Sequence, residues 1–222
     1  MTDLGGRAIG LAHGLALIGL KLGCDLAAVL LFRGLSGPEP SALLATLAAL
    51  AGWVPALAVC ALYAAAMEPA LRPRWRPARP YSVPMVVVAG ALTIVGAVLL
   101  ALLAGDATTP LEQAIQRDVD RWAVAVFAIA VTPVVEEWFF RGFLYQAVSM
   151  AFGEWGAVLV VGLLFGLFHG AQYAGVPEAL AAVTLMGLVT TWMRKVTGGI
   201  LACVIFHAAY NVAGVVILFA AG

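Results

Sequence analysis

The sequence predicts an all-α fold, a polytopic bundle of about seven transmembrane helices (six to eight), on three observations. First, 64% of the 222 residues are hydrophobic and only 11% are charged, against roughly 25% charged in ordinary soluble domains. Second, apolar runs long enough to cross about 30 Å of hydrocarbon recur along the chain. Third, the links between those runs are short and carry the proline and arginine that the runs themselves mostly lack.

The predicted spans are 8–32, 41–67, 83–104, 119–148, 155–174, 178–193 and 198–221. In the first, Lys21 and Asp25 stand four apart, with His13 two turns before Lys21. This is an internal ion pair joining the helix to the bundle, with substrate binding as the alternative. Between the second and third spans, Arg72-Pro73-Arg74-Trp75-Arg76-Pro77-Ala78-Arg79-Pro80 cannot be helical, and its four arginines belong in water. Basic residues divide seven (Arg7, Arg72, Arg74, Arg76, Arg79, Arg194, Lys195) against three (Arg33, Arg117, Arg121) between the two faces. That bias puts the N-terminus in the cytoplasm and, with seven spans, the C-terminus outside. Within 105–121, Thr109-Pro110-Leu111-Glu112 reads as a helix start, and Leu111, Ile115, Val119 and Trp122 share one face. An amphipathic lead-in lying in the interface is expected there. The fourth span is the charged one and the sixth is short.

No repeat or low-complexity linker divides residues 1–222, so a single integral membrane domain is expected, with no removed signal peptide. Zero formal charge and a pI near 6.8 argue against a nucleic-acid partner. Cys24, Cys60 and Cys203 lie in apolar segments without paired spacing, so neither disulfides nor a zinc knuckle are expected.

Three polar constellations fall on three C-terminal spans. Glu136-Glu137-Trp138-Phe139-Phe140-Arg141 places three ionisable groups inside the fourth. Each costs about 2.5–3.5 kcal/mol at a bilayer centre, so a functional site is the default reading. Glu137 and Arg141 share a helix face and can pair, whereas Glu136 is turned about 100° away and is free for chemistry. His169 follows Phe165 by one turn, and His207 and Asn211 stand at i and i+4. Each histidine alone has a structural reading as an interhelical hydrogen-bonding group; the three constellations together point to a site. Helix counting leaves Glu136 and His169 about 10 Å apart along the membrane normal, which a tilt, a kink or a moved helix start has to absorb.

Glu136-Glu137-x-x-x-Arg141, Phe165-x-x-x-His169 and His207-x-x-x-Asn211 resemble, in order, the three motifs of the CAAX protease and bacteriocin-processing (CPBP, Abi) intramembrane proteases, which include the type II CAAX prenyl endopeptidases. The resemblance covers roughly residues 120–215, the expected catalytic core. It implies an intramembrane endopeptidase in which Glu136 and His169 activate water, His207 and Asn211 stabilise the oxyanion, and Glu137 and Arg141 hold the site together. The implied partners are a membrane-anchored protein or peptide substrate and membrane lipid. The Ala-, Gly- and Arg-rich composition suggests a high-GC bacterium and hence the inner membrane; a myxosortase-like role in C-terminal sorting then becomes attractive.

The residue chemistry is compatible with this. Peptide hydrolysis needs a base, an oxyanion donor and an acid for the leaving amine, and these side chains supply all three. In the preferred, metal-free reading no cofactor is required. Glu136, His169 and His207 would also make a His₂Glu set for a divalent metal such as zinc, although no His-Glu-x-x-His helix is present. Pro133 is placed to kink the fourth span near Glu136, and Cys203, one turn before His207, reads as a packed apolar residue rather than a nucleophile. The rival function classes are a proton-coupled transporter, disfavoured by the lack of an inverted repeat, and a non-catalytic immunity or scaffold protein.

Overall fold

The computed structural model describes residues 4–36, 42–66, 72–76, 83–105, 108–109 and 118–220. All regular structure among them is helical: α1 (Leu4–Ser36), α2 (Ala42–Ala66), α3 (Val83–Ala104), α4 (Asp118–Val126), π1 (Phe127–Val131), α5 (Thr132–Glu137), π2 (Trp138–Leu144), α6 (Tyr145–Phe168), α7 (Pro177–Thr197) and α8 (Leu201–Ala220). The expected amphipathic helix start at Thr109–Glu112 lies, beyond Thr109, outside the described residues, as do positions 77–80 of the Arg-Pro link.

From α4 to α6 the chain is helical without a gap. Its apolar part, Arg121–Phe168, counts 48 residues, about 72 Å at 1.5 Å per residue, more than twice the hydrocarbon thickness. It folds back at Gly153, whose φ of 74° and ψ of 172° are open essentially only to glycine. The rings of Phe140 and Phe165, on opposite arms of this turn, are 5.1 Å apart. The expected fourth and fifth spans are therefore these two arms. The fourth runs past residue 148 to the turn, and the fifth ends at Phe168 rather than at 174.

Five stretches among the described residues are long and apolar enough to cross a membrane, and the 48-residue one is folded double. The sixth helix, α7, is the most polar of the longer ones, with Glu178, Arg194 and Lys195 at its ends. Counted as rods, the described residues supply seven, in the expected order.

In lipid, apolar side chains gain little by leaving one hydrocarbon phase for another, so helices are joined by close backbone approach and by polar contacts. The α6–α7 crossing shows the first: a Cβ on Gly187 would stand 2.8 Å from the Gly162 carbonyl oxygen and 3.0 Å from Phe165 Cβ. Around it lies a core of Trp53, Phe139, Phe140, Phe143, Phe165, Met186 and Phe206, while Leu62, Leu92, Leu103 and Leu163 face outward. The arginines of residues 72–76 are exposed, as expected, but the segment is also tied to the bundle. Ile200 and Leu201 donate their backbone N–H groups to the Arg74 and Trp75 carbonyls at 3.0 Å, and Arg72 caps α2 through the carbonyls of Ala64 and Ala65 at 3.1 and 2.7 Å. Trp75 meets Trp138, the residue after Glu137, at 5.9 Å between ring centroids.

Candidate active site

The two glutamates end α5, and Arg141 follows in π2. Arg141 Nη1 donates to Glu137 Oε1 at 2.9 Å, and neither side chain is exposed at all. The remaining guanidinium donors reach α7, where Nη2 gives to the Gly187 carbonyl at 2.6 Å and Nε to Thr191 Oγ1 at 3.2 Å. Thr191 in turn donates to the same Gly187 carbonyl at 2.7 Å. The guanidinium lies 4.5 Å from the Phe165 ring centroid, a cation–π contact. A fork with five fixed donors is suited to this task, which a lysine could not perform. Arg194 Nε closes the network by donating to the Arg141 carbonyl at 3.0 Å.

His169 is the C-cap of α6, stacked on Phe165 at 4.5 Å. Its Nδ1 is 2.7 Å from the Phe165 carbonyl oxygen. That oxygen can only accept, so Nδ1 carries the proton and the neutral ring presents the Nε2 lone pair. Nε2 faces Glu136 Oε2 at 3.6 Å. The 10 Å depth mismatch expected from helix counting is absent, and Gly153 is the reason. Glu136 lies 17 residues before the turn and His169 lies 16 after it, so two arms of equal rise bring them to one level.

His207 enters from α8. Its Nδ1 is 3.0 Å from Glu137 Oε1, and a carboxylate oxygen only accepts, so Nδ1 again holds the proton and Nε2 points inward. Nε2 stands 3.9 Å from Glu136 Oε2. Glu137 thus orients both Arg141 and His207 through one oxygen. Glu136 Oε2 is buried and makes no direct hydrogen bond, although it faces both imidazoles. Separations of 3.6 and 3.9 Å suit a bridging water better than direct bonds.

The structure therefore brings Glu136, Glu137, Arg141, His169 and His207 together. Asn211 faces the same helix one turn further along, but its Nδ2 donates to the Ala128 carbonyl in π1 at 2.7 Å. Cys203 is buried, with Sγ 3.2 Å from the Thr190 carbonyl oxygen, in the structural place expected for it. Lys21 pairs with Asp25 and lies 3.8 Å over the Trp53 ring, which itself packs on Phe139 and Phe140. That pair does join α1 to the bundle.

Thr191, the Gly187 carbonyl and Arg194 were not foreseen from the sequence. A glycine followed four residues later by threonine is a visible spacing, but only the α6–α7 crossing shows that it serves Arg141. Among the described residues no three His, Cys, Asp or Glu side chains are grouped to hold a metal ion.

Residues 118–213 match the family model of the type II CAAX prenyl endopeptidase Rce1-like proteins. No curated protein and no solved structure matches the chain. The family match spans every residue of the site described above. Over this stretch the chain is similar to that family.

Proposed function

We propose that this chain hydrolyses a peptide bond near the C-terminus of a membrane-anchored protein, using a water molecule activated by Glu136. The observation carrying this reading is one buried carboxylate oxygen, Glu136 Oε2, facing two imidazole Nε2 atoms at 3.6 and 3.9 Å. Glu137, the neighbouring acid, is occupied by Arg141 and His207, so the two carboxylates have different tasks.

In this reading water donates a hydrogen bond to Glu136 Oε2 and lies within reach of His169 Nε2. Glu136 takes the proton as the water oxygen bonds to the scissile carbonyl carbon. The carbonyl oxygen becomes an oxyanion and accepts a hydrogen bond from the imidazolium form of His207, which carries a proton on Nε2 as well as on the Nδ1 that faces Glu137; Glu137 holds the ring from behind, as a carboxylate does for the histidine of a catalytic triad. On collapse the C–N bond breaks, and the proton held by Glu136 passes to the leaving amine with His169 alongside. The carboxylic acid released gives its proton to the amine, so the products are a carboxylate and an ammonium group, and Glu136 is ready again. In this reading no step is routed through a metal.

The helical, lipid-facing surroundings favour a substrate that is itself anchored in the membrane. Comparative proteomics of membranes from cells carrying the wild type or Glu136→Ala tests this directly. C-terminally extended precursors should accumulate only with the variant; identical C-termini in both membranes would contradict the proposal.

A further inference from the structure

The Asn211–Ala128 hydrogen bond joins α8 to π1 across 83 residues of chain. In π1 the Thr132 N–H reaches back five residues to the Phe127 carbonyl instead of four. Carried one residue on, that register assigns the Ala128 carbonyl to the N–H of residue 133. Residue 133 is proline and has none. Asn211 Nδ2 stands where the missing donor would act. In a hydrocarbon surrounding no water replaces it, and a carbonyl left without a partner is costly.

We propose that Asn211 is a positioning residue: its carboxamide supplies to Ala128 the hydrogen bond that Pro133 cannot, and so fixes the π1–α5 break that aims Glu136 at His169 and His207. The break is fastened on both sides by α8. Asn211 holds it at Ala128, eight residues before Glu136, and His207, one turn earlier on α8, holds it at Glu137. A slip of the π turn back to α register would rotate every following residue by about 100° and turn Glu136 away from both imidazoles. One carboxamide N–H is committed to this duty, which differs from direct donation to a reacting oxyanion.

The two roles separate in a double-mutant cycle on the full chain in detergent micelles, because the missing donor can be put back into the backbone. The variants are Asn211→Ala, Pro133→Ala and both together. Thermal melting is read for each, with cleavage of a farnesylated peptide ending in a CAAX sequence as the second readout. Asn211→Ala should lower Tm by about 2–12 °C, the scale of one buried unsatisfied group in a chain of this size. Cleavage should fall on the order of 10–100-fold as Glu136 loses its aim. Adding Pro133→Ala restores an N–H at position 133 and should recover at least half of both losses. A double variant that melts no higher than Asn211→Ala overturns the proposal. So does a loss of cleavage with unchanged Tm and no rescue, the pattern of an oxyanion donor. If Asn211→Ala fails to accumulate, accumulation of the double variant supports the proposal and its failure contradicts it. The cleavage readout rests on the hydrolase reading, but the melting cycle does not; a wild type inert toward the peptide would count against that reading alone.

Discussion

Glu137 and Arg141 lie wholly inside the bundle, where a charge without its partner is worse than no charge. Removing either by Glu137→Gln or Arg141→Gln should cost about 3–5 kcal/mol of stability. Removing both should recover part of that, but not all, since Arg141 also serves the Gly187 carbonyl and Thr191. Thermal melting of the two single variants and the double in detergent measures the coupling, and strictly additive losses would show that the pair is independent. The i,i+4 spacing made this pair legible in the sequence. The same spacing for His207 and Asn211 correctly placed both on one face but could not tell what each would meet. His207 meets two carboxylates and Asn211 meets a carbonyl. Partners such as Thr191 were illegible because they lie 50 residues away and depend on how closely two helices cross.

At the level of elements, the device that assembles the site is the turn at Gly153, and its backbone explains why glycine is needed. Replacing it with alanine puts a Cβ into a conformation that non-glycine residues adopt at about 1–3 kcal/mol. Gly153→Ala should lower the melting temperature accordingly and reduce cleavage, because the register of the two arms sets the Glu136–His169 distance. Gly214→Ala is the matched control. Gly214 lies within α8, and a Cβ there meets nothing within 4 Å, so alanine's better helix propensity should leave stability unchanged or slightly raised. Equal losses for the two would remove the special role of the turn. Apolar runs revealed the helices themselves, since hydropathy reports what lipid tolerates. Hydropathy is silent on π turns, so π1 and π2 were not foreseen, although Pro133 marked the place where the helix had to yield.

For the whole molecule, the family match begins at residue 118, yet α1 and α2 are not separable from the site. Trp53 of α2 lies 5.4 Å from Phe139 and 6.0 Å from Phe140, and Lys21 of α1 caps its ring. The predicted topology, with the Arg-Pro link on the cytoplasmic face, remains a proposal that accessibility labelling of cysteines introduced at residues 76 and 34 would test; only position 76 should react from the cytoplasm. Water activated by a carboxylate alone also predicts that a strong chelator leaves cleavage unchanged. Activity lost to chelator and regained with zinc would instead give Glu136, His169 and His207 a shared metal. The central claim is that Glu136 is the base. Its most direct test is the turnover of purified Glu136→Gln, nearly isosteric with the wild type but unable to take the proton, measured on a cleavable membrane-anchored peptide beside its melting temperature. Turnover should vanish while the melting temperature is kept, and full turnover in that variant would contradict the account.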